Sequence, residues 1–304
     1  DVQTDLMRAR GVLVLAGATA SGKTDLAIEL ARRFNAEIVG ADSRQIYRGM
    51  PIGTAAPTPA QLEAAPHHLV AFLDPYERYS AGRYARDAVR AIEAIHARGH
   101  RAIVVGGTGF YLRALTGDVA LAPQQDEVLR ERLAREARAH PPRVLWEWLA
   151  TRDPVRAGAL DPNDSYRVLR ALEVALAPAR VHSAASGVTL RSADIPFVKL
   201  ALDVPIATID ERIERRADAM IEGGLLDEAE RIGVAALAAN AVGYPQALAF
   251  LRGWSTHDEL RTSLVRATRR YARRQRSWFR AEPGITWVSP ALAEAVAREK
   301  LGWS

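Results

Sequence analysis

The eight residues Gly17-Ala18-Thr19-Ala20-Ser21-Gly22-Lys23-Thr24 constrain this chain more than any other stretch. They fit G-x-x-x-x-G-K-[ST] at every fixed position. The apolar run Val12-Leu13-Val14-Leu15 before them reads as a buried strand. Asp25 to Phe34 after them carries Leu26, Ala27, Leu30 and Phe34 at helical spacing. Strand, glycine loop and helix in that order separate a phosphate cradle from a chance match. The two glycines let the backbone aim several N–H groups at one anion, and the helix amino end adds partial positive charge. Lys23 can bridge outer phosphate oxygens and Thr24 can hold a magnesium ion. The plain alternative, a strand-to-helix turn of small residues, explains the motif less well. The loop reads a diphosphate or triphosphate and leaves its carrier open.

Residues 11 to 117 go on alternating short apolar strands with helices. Glu37 to Ala41 reads as a second strand, Ala81 to Arg98 as a helix, and Ala102-Ile103-Val104-Val105 as a third strand. This order implies an α/β fold with a parallel sheet flanked by helices. From Asp118 the pattern turns helical, at Glu127–Ala139, Val144–Ala150 and Ser165–Ala177, with proline breaks at Pro141-Pro142, Asp153-Pro154 and Asp161-Pro162. Phe197 to Leu202 then reads as a strand returning to the sheet, followed by helices at Ile206–Glu222, Leu225–Ala239 and Asp258–Phe279. The expected organisation is a core from residues 1–117 and 198–304, with a helical insertion at 118–197.

Composition narrows the classes of function. There is no cysteine, which excludes disulfides and thiolate zinc or iron–sulfur sites. The seven histidines show no metal spacing, and the adjacent His67-His68 does not suit one ion. Asp1 to Arg10 is polar and unlike a secretory leader, and no stretch is long enough to span a bilayer. A cytoplasmic protein is therefore expected. The net charge is +5, and only Lys23, Lys199 and Lys300 among the 41 basic residues are lysines. Arginine suits bidentate phosphate contacts, although a GC-rich genome produces the same bias.

Several stretches could carry chemistry. Asp42-Ser43-Arg44-Gln45-Ile46-Tyr47 follows the second strand, and ligands of parallel sheets bind at the carboxyl ends of strands. Asp42 could hold magnesium, act as a general base, or simply cap a short helix. Val105-Gly106-Gly107-Thr108-Gly109 follows the third strand, where paired glycines allow a ligand to approach the backbone or make a plain turn. An acidic residue ending that strand, as in many nucleotide hydrolases, is missing. Asn163 or Asp164 can cap a helix on which Arg167, Arg170 and Glu173 share a face, suited to gripping phosphates or to an ion-pair ladder. Arg266, Arg269, Arg270, Arg273, Arg274, Arg276 and Arg280 form the strongest basic feature, with no acid between Arg261 and Ala281 and with Tyr271, Trp278 and Phe279 among them. They read as a nucleic-acid face or as a solvated basic helix. Arg212, with Arg215 and Arg216, could reach a bound diphosphate as a lid arginine does in a nucleotide kinase.

Taken together, these stretches resemble the tRNA dimethylallyltransferases, also called tRNA isopentenyltransferases. The matching stretches are GATASGKT (17–24), DSRQIY (42–47), GTAAP (53–57), VGGTGFYLRAL (105–115), DPNDSYRVLRALEV (161–174), AVGY (241–244) and RRYARRQRSWFR (269–280). They run in order through nearly the whole chain. The resemblance implies a P-loop NTPase-like sheet with an inserted all-helical subdomain that binds tRNA. It implies transfer of a dimethylallyl group from dimethylallyl diphosphate to N6 of the adenosine 3′ of the anticodon. Gly17 to Thr24 would hold the diphosphate. Lys23, Thr24 with Mg2+, Thr19 and Arg212 would serve its departure, and Asp42 would accept the amine proton. Asp42, Ser43, Arg44, Gln45 and Thr108 would contact the flipped base and its neighbours. Arg130, Tyr166, Arg167, Val168, Leu169 and Arg170 would bind tRNA on the insertion, and Arg273 and Arg274 would hold the anticodon stem-loop. A monomer without a membrane partner is expected.

The chain departs from the family pattern at Ala18, Ala56, Pro245-Gln246 and Ala177-Pro178-Ala179-Arg180. None of these positions is a proposed catalytic residue except that Ala18 lies in the phosphate loop. The absence of cysteine matches the bacterial form, which has no zinc module. The competing reading is a P-loop nucleotide or small-molecule kinase with the insertion as its lid, and a nucleic-acid-dependent ATPase is a third.

Overall fold

A computed structural model describes residues 10–119, 127–177 and 187–304. The expectations placed on the first nine residues and on residues 178–186 lie outside the described residues. Contacts divide the chain into two compact units, one formed by residues up to Val119 with Val188–Ser304, the other within Ala120–Gly187.

The first unit is built on a sheet of six described strands: β1 (Val12–Ala16), β2 (Ala36–Gly40), β3 (His67–His68), β4 (Arg101–Gly106), β5 (Phe197–Leu202) and β6 (Ile285–Val288). Their order is β3-β2-β4-β1-β5-β6, and every neighbouring pair is parallel. β1 is central, with Leu13 opposite Ile103 on one side and Val198 on the other. Parallel strands are covered on both faces, so β1 consists of apolar residues without alternation, and all five are fully buried.

Helix α1 (Lys23–Phe34) follows β1 and buries Ala27, Leu30, Ala31 and Phe34. The short α2 (Pro59–Ala64) opens with a capping box between Thr58 and Gln61. α3 (Ala81–Ala97) packs on β2 and β4 through a stripe that includes Tyr84, Ala88, Ile92 and Ile95. α4 (Gly109–Thr116) leaves the end of β4.

The second unit contains α5 (Glu127–Ala139), α6 (Pro142–Arg152), α7 (Pro154–Gly158) and α8 (Ser165–Leu176). Prolines at the first positions of α6 and α7 start those helices, because proline has no N–H to leave unpaired there. Leu133, Leu145, Leu149, Val168 and Leu172 form their shared core, and Trp146 donates to the Ala157 carbonyl at 2.9 Å. Asp164 caps α8 by accepting from the Arg167 N–H at 3.1 Å.

The chain then returns through β5 to α9 (Ile206–Glu222), α10 (Leu225–Ile232), α11 (Ala235–Ala238), α12 (Tyr244–Leu251), α13 (His257–Arg280) and α14 (Ala293–Leu301). The single helix expected over Leu225–Ala239 is two, because Gly233 ends α10 at φ 63°, ψ −139°, a conformation no helix continues through. The arginine-rich helix is not the end of the fold, since β6 and α14 follow it.

Gly106 closes β4 directly against β2. A β-carbon there would lie 2.0 Å from the Ala41 carbonyl oxygen, which is backbone and cannot step aside. Gly106→Ala is expected to destabilise the unit by roughly 2–3 kcal/mol in urea denaturation. An unchanged midpoint would contradict this reading of the β2–β4 junction.

Candidate active site

The loops leaving β1, β2 and β4 meet at the carboxyl edge of the sheet. The first, residues 17–22, ends in Gly22 at φ 84°, ψ 12°, a left-handed turn that suits glycine and lets α1 start at Lys23. Ala18 and Ser21 are buried behind this loop. Lys23 Nζ donates to the Ala18 carbonyl at 3.2 Å.

The second loop continues β2. Ala41 N–H donates to Val105 at 2.7 Å, which extends the ladder by one step and delivers Asp42 beside the phosphate loop. Asp42 Oδ1 accepts from the Arg44 N–H at 2.9 Å. It therefore closes a local turn, and no helix follows for it to cap. The third loop crosses the second. Thr108 N–H donates to Ala41 at 3.2 Å, and Thr108 Oγ1 accepts from the Ser43 N–H at 2.9 Å.

A cavity of about 550 Å³ opens among the first two loops, α9 and α13, and no residue of the third loop lines it. Thr19, Lys23, Thr24, Asp42, Arg44 and Arg216 are among its polar lining residues, and Ile52, Ile213, Met220, Val242 and Leu264 among its apolar ones. Such a cavity can take a small ligand that is charged at one end and apolar at the other. Burial in the cavity wall lowers the Lys23 ammonium to about 8; Asp42 opposes this shift and Arg216 reinforces it.

The sequence pointed to Arg212 as the arginine of α9 that reaches the diphosphate. In the structure Arg212 donates to the Ala20 carbonyl at 3.2 Å and braces the loop from outside. Arg216, one turn on, lines the cavity and donates to Thr19 Oγ1 at 3.1 Å. The i, i+4 spacing from Arg212 was the available signal for it.

Other expected residues are already engaged with protein. Arg44 donates to the Asn240 carbonyl at 2.9 Å and to Tyr271 Oη, with its guanidinium 4.2 Å from the Tyr271 ring centroid. Gln45 donates to Thr54 and Ala55 at 3.2 and 2.9 Å, which fixes the 53–57 loop forming part of the cavity wall. That wall has a second support that the sequence did not reveal. Buried Glu228 accepts from the N–H groups of Ile52 and Gly53 at 3.0 and 2.8 Å and from Tyr244 Oη at 2.7 Å.

The basic helix α13 has more counter-charge than its own sequence shows. Arg269 pairs with Asp210 and Glu214, Arg273 with Asp210 at 3.0 Å, and Arg276 with Asp203 at 2.9 Å. These acids stand on α9 and in the segment before it, too distant in sequence for a local count to find. Arg266, Arg270, Arg274 and Arg280 are exposed along the same helix, as is the paired Arg273. Phe279 is buried, which removes it from a base-stacking role, and the Trp278 ring packs under the Arg113 guanidinium.

On the insertion, Tyr166 is three-quarters exposed and Arg167 is exposed. Val168 is wholly buried, so its side chain serves the insertion's core. Arg170 pairs with Glu173 at 2.5 Å, Arg130 with Glu173 at 3.5 Å, and Arg167 with Asp164 at 3.3 Å. These pairs realise the ion-pair ladder, which does not preclude contact with phosphate.

Among the described residues, no cluster of three or more histidine, aspartate or glutamate residues could hold a metal, and no helix is long and apolar enough to cross a membrane.

The fold and the loop geometry define an α/β protein of the P-loop type, with its glycine loop at the carboxyl edge of the sheet. Comparison with known proteins narrows this class. A family model described as IPP transferase matches residues 45–282, and one described as isopentenyl transferase matches residues 10–72. A tRNA dimethylallyltransferase of Anaeromyxobacter sp. (strain K) is 45% identical over 298 residues, covering 95% of this chain and 97% of that protein. One from Geobacter sulfurreducens is 40% identical over 294 residues, covering 94% of each. The full-length tRNA isopentenylpyrophosphate transferase of Bacillus halodurans has a similar structure, with a TM-score of 0.68 and 32% identity over 96% of this chain and 97% of that one. A eukaryotic dimethylallyltransferase acting on tRNA aligns with a TM-score of 0.76 at 26% identity, covering 95% of this chain and 77% of that one. The chain belongs to the tRNA dimethylallyltransferase family and is a prenyltransferase.

The lowered Lys23 gives the site a pH dependence. Free Lys23 loses its proton as pH rises through about 8, and the neutral amine no longer attracts an anion. Affinity for a prenyl diphosphate is expected to fall through that range in a titration, and Lys23→Met should lack the step. A native curve flat from about pH 7 to 9 would contradict the assignment.

Proposed function

We propose that this chain transfers a dimethylallyl group from dimethylallyl diphosphate to N6 of the adenosine 3′-adjacent to the anticodon of tRNA. The single observation that carries this reading is the cavity, whose lining brings Lys23, Thr24, Arg216 and Asp42 together with the apolar side chains Ile213, Met220 and Leu264. The diphosphate lies along the loop, and the five-carbon group rests against Ile213, Met220 and Leu264.

In the reaction the bond from the prenyl C1 to the diphosphate oxygen breaks, and a bond from C1 to adenine N6 forms. The amine proton passes to the Asp42 carboxylate. Lys23, the loop N–H groups and Arg216 stabilise the charge that grows on the departing diphosphate, with Arg212 bracing the loop. The hydroxyl oxygen of Thr24 on the cavity lining suits magnesium, which needs few protein groups. Thr24 would hold that ion, and its chemistry is to neutralise phosphate charge. The adenine must leave its stack to reach the cavity. The Ser43–Thr108 pair shapes the neighbouring loops. Exposed Tyr166 and Arg167 on the insertion, and Arg273 and Arg274 on α13, hold the tRNA. The protein acts as a monomer in the cytoplasm.

The kinase reading shares the loop and Asp42. It leaves α13 and the insertion motif without a purpose, and relatives at 45% identity over nearly the full length are named for prenyl transfer to tRNA.

Asp42→Asn tests the reading most simply. It should bind tRNA as the native protein does and lose prenyl transfer by about a hundredfold or more. Near-native transfer would remove Asp42 as the base. Replacing Arg273 and Arg274 together with alanine should weaken tRNA binding and lower the slope of log affinity against log salt by about 1 to 2. An unchanged slope would move the tRNA site away from this helix.

A further inference from the structure

Gln275 is a neutral residue within the arginine run of α13, and it is buried, with 5% of its surface exposed. It faces inward where most of its neighbours face out. Its Oε1 accepts from the Thr19 N–H at 2.8 Å, and its Nε2 donates to the Gly107 carbonyl at 2.9 Å. Only one orientation of the amide satisfies both partners, because Thr19 presents a donor and Gly107 an acceptor. One side chain thus joins the loop after β1 to the loop after β4.

Gly107 is small because of this contact. A β-carbon on it would lie 2.2 Å from Gln275 Nε2. Gly109 is small for the same kind of reason, since its β-carbon would lie 2.0 Å from Trp278 Nε1. Of the paired glycines that the sequence suggested for close approach of a ligand, Gly106 is approached by the Ala41 backbone and Gly107 by α13.

We propose that Gln275 is a positioning residue for the diphosphate cradle, acting through Thr19 and Arg216. Gln275 fixes the Thr19 backbone, and the Thr19 hydroxyl accepts from Arg216, which lines the cavity with Lys23. Without the amide, the Thr19 N–H and the Gly107 carbonyl lose their partner, and the loop can turn away from the geometry that presents Arg216 and Lys23 to one anion. The inference rests on the reading of the loop as a diphosphate site.

The test compares native protein with Gln275→Met, which keeps the volume and removes both hydrogen bonds, and with Gly107→Ala, which displaces the amide while leaving the sequence of α13 unchanged. Lys23→Ala serves as the reference for the diphosphate site. Binding of inorganic pyrophosphate with magnesium is measured by calorimetry, tRNA affinity separately, and KM for the prenyl donor beside kcat. Gln275→Met and Gly107→Ala should each weaken pyrophosphate binding and raise the donor KM by about tenfold, with tRNA affinity within about twofold of native. A purely structural role would lower tRNA affinity and pyrophosphate affinity together, and that result overturns the proposal. So does native pyrophosphate affinity in both variants while Lys23→Ala has lost it. If native protein does not bind pyrophosphate, or Lys23→Ala binds it equally well, the diphosphate reading falls and the role of Gln275 falls with it. Should Gln275→Met not fold, Gly107→Ala decides.

Discussion

Gripping a diphosphate at the edge of a sheet requires positive charge and N–H groups to converge on one point, and the chain must be kept in one tight turn. Here that turn is the left-handed Gly22, which lets α1 begin at Lys23. It is braced from three directions: by Arg212 on the Ala20 carbonyl, by Arg216 on the Thr19 hydroxyl and by Gln275 on the Thr19 N–H. These supports come from α9 and α13, so the helices after β5 set the conformation of the glycine loop as much as the loop itself. The β1–β4 and β1–β5 pairings set the position of everything else, because they place the loop centrally at the carboxyl edge.

The same helices give the cavity its second character. Ile213 and Met220 on α9, with Leu264 on α13, turn apolar side chains toward the cavity, while Arg216 on α9 lines it and reaches the Thr19 hydroxyl. Helical periodicity makes this possible, since residues a turn apart share a face and can differ in chemistry. The part of the wall at Ile52 and Gly53 is held by Glu228, a buried carboxylate that accepts three hydrogen bonds and so meets most of its need for solvation within the protein. Charged and apolar side chains lining one cavity suit a prenyl diphosphate better than a nucleotide, whose base would need hydrogen-bonding partners where Ile213, Met220 and Leu264 stand.

Much of this was legible in the sequence because it is local. The run at residues 12–15, the glycine loop and the helical spacing of Leu26, Leu30 and Phe34 each mark their element without tertiary information. The return strand at Phe197–Leu202 and the helix at Ile206–Glu222 were equally plain. What escaped was short or long-range. β3 is two histidines, too brief for any period, and His68 is held there by Glu37 at 2.6 Å. α4 begins at a glycine, which hides its helical character, and β6 is a four-residue edge strand. The acids that neutralise part of α13 lie some sixty residues earlier on α9, and no local charge count finds them. Gln275 left one usable signal, its place on the stripe shared by Leu264, Ala272 and Phe279. A polar residue on a buried stripe needs a partner, and here the partners are the phosphate loop and its neighbour.

The central claim is that the loop at residues 17–24 holds the diphosphate of a prenyl donor and not a nucleotide. The most direct measurement incubates the protein with unmodified tRNA, magnesium and labelled dimethylallyl diphosphate, with no ATP present. The account predicts label in the tRNA, on the adenosine beside the anticodon. Unlabelled tRNA, together with consumption of ATP on a small acceptor when both are supplied, would contradict it and make the loop a nucleotide site.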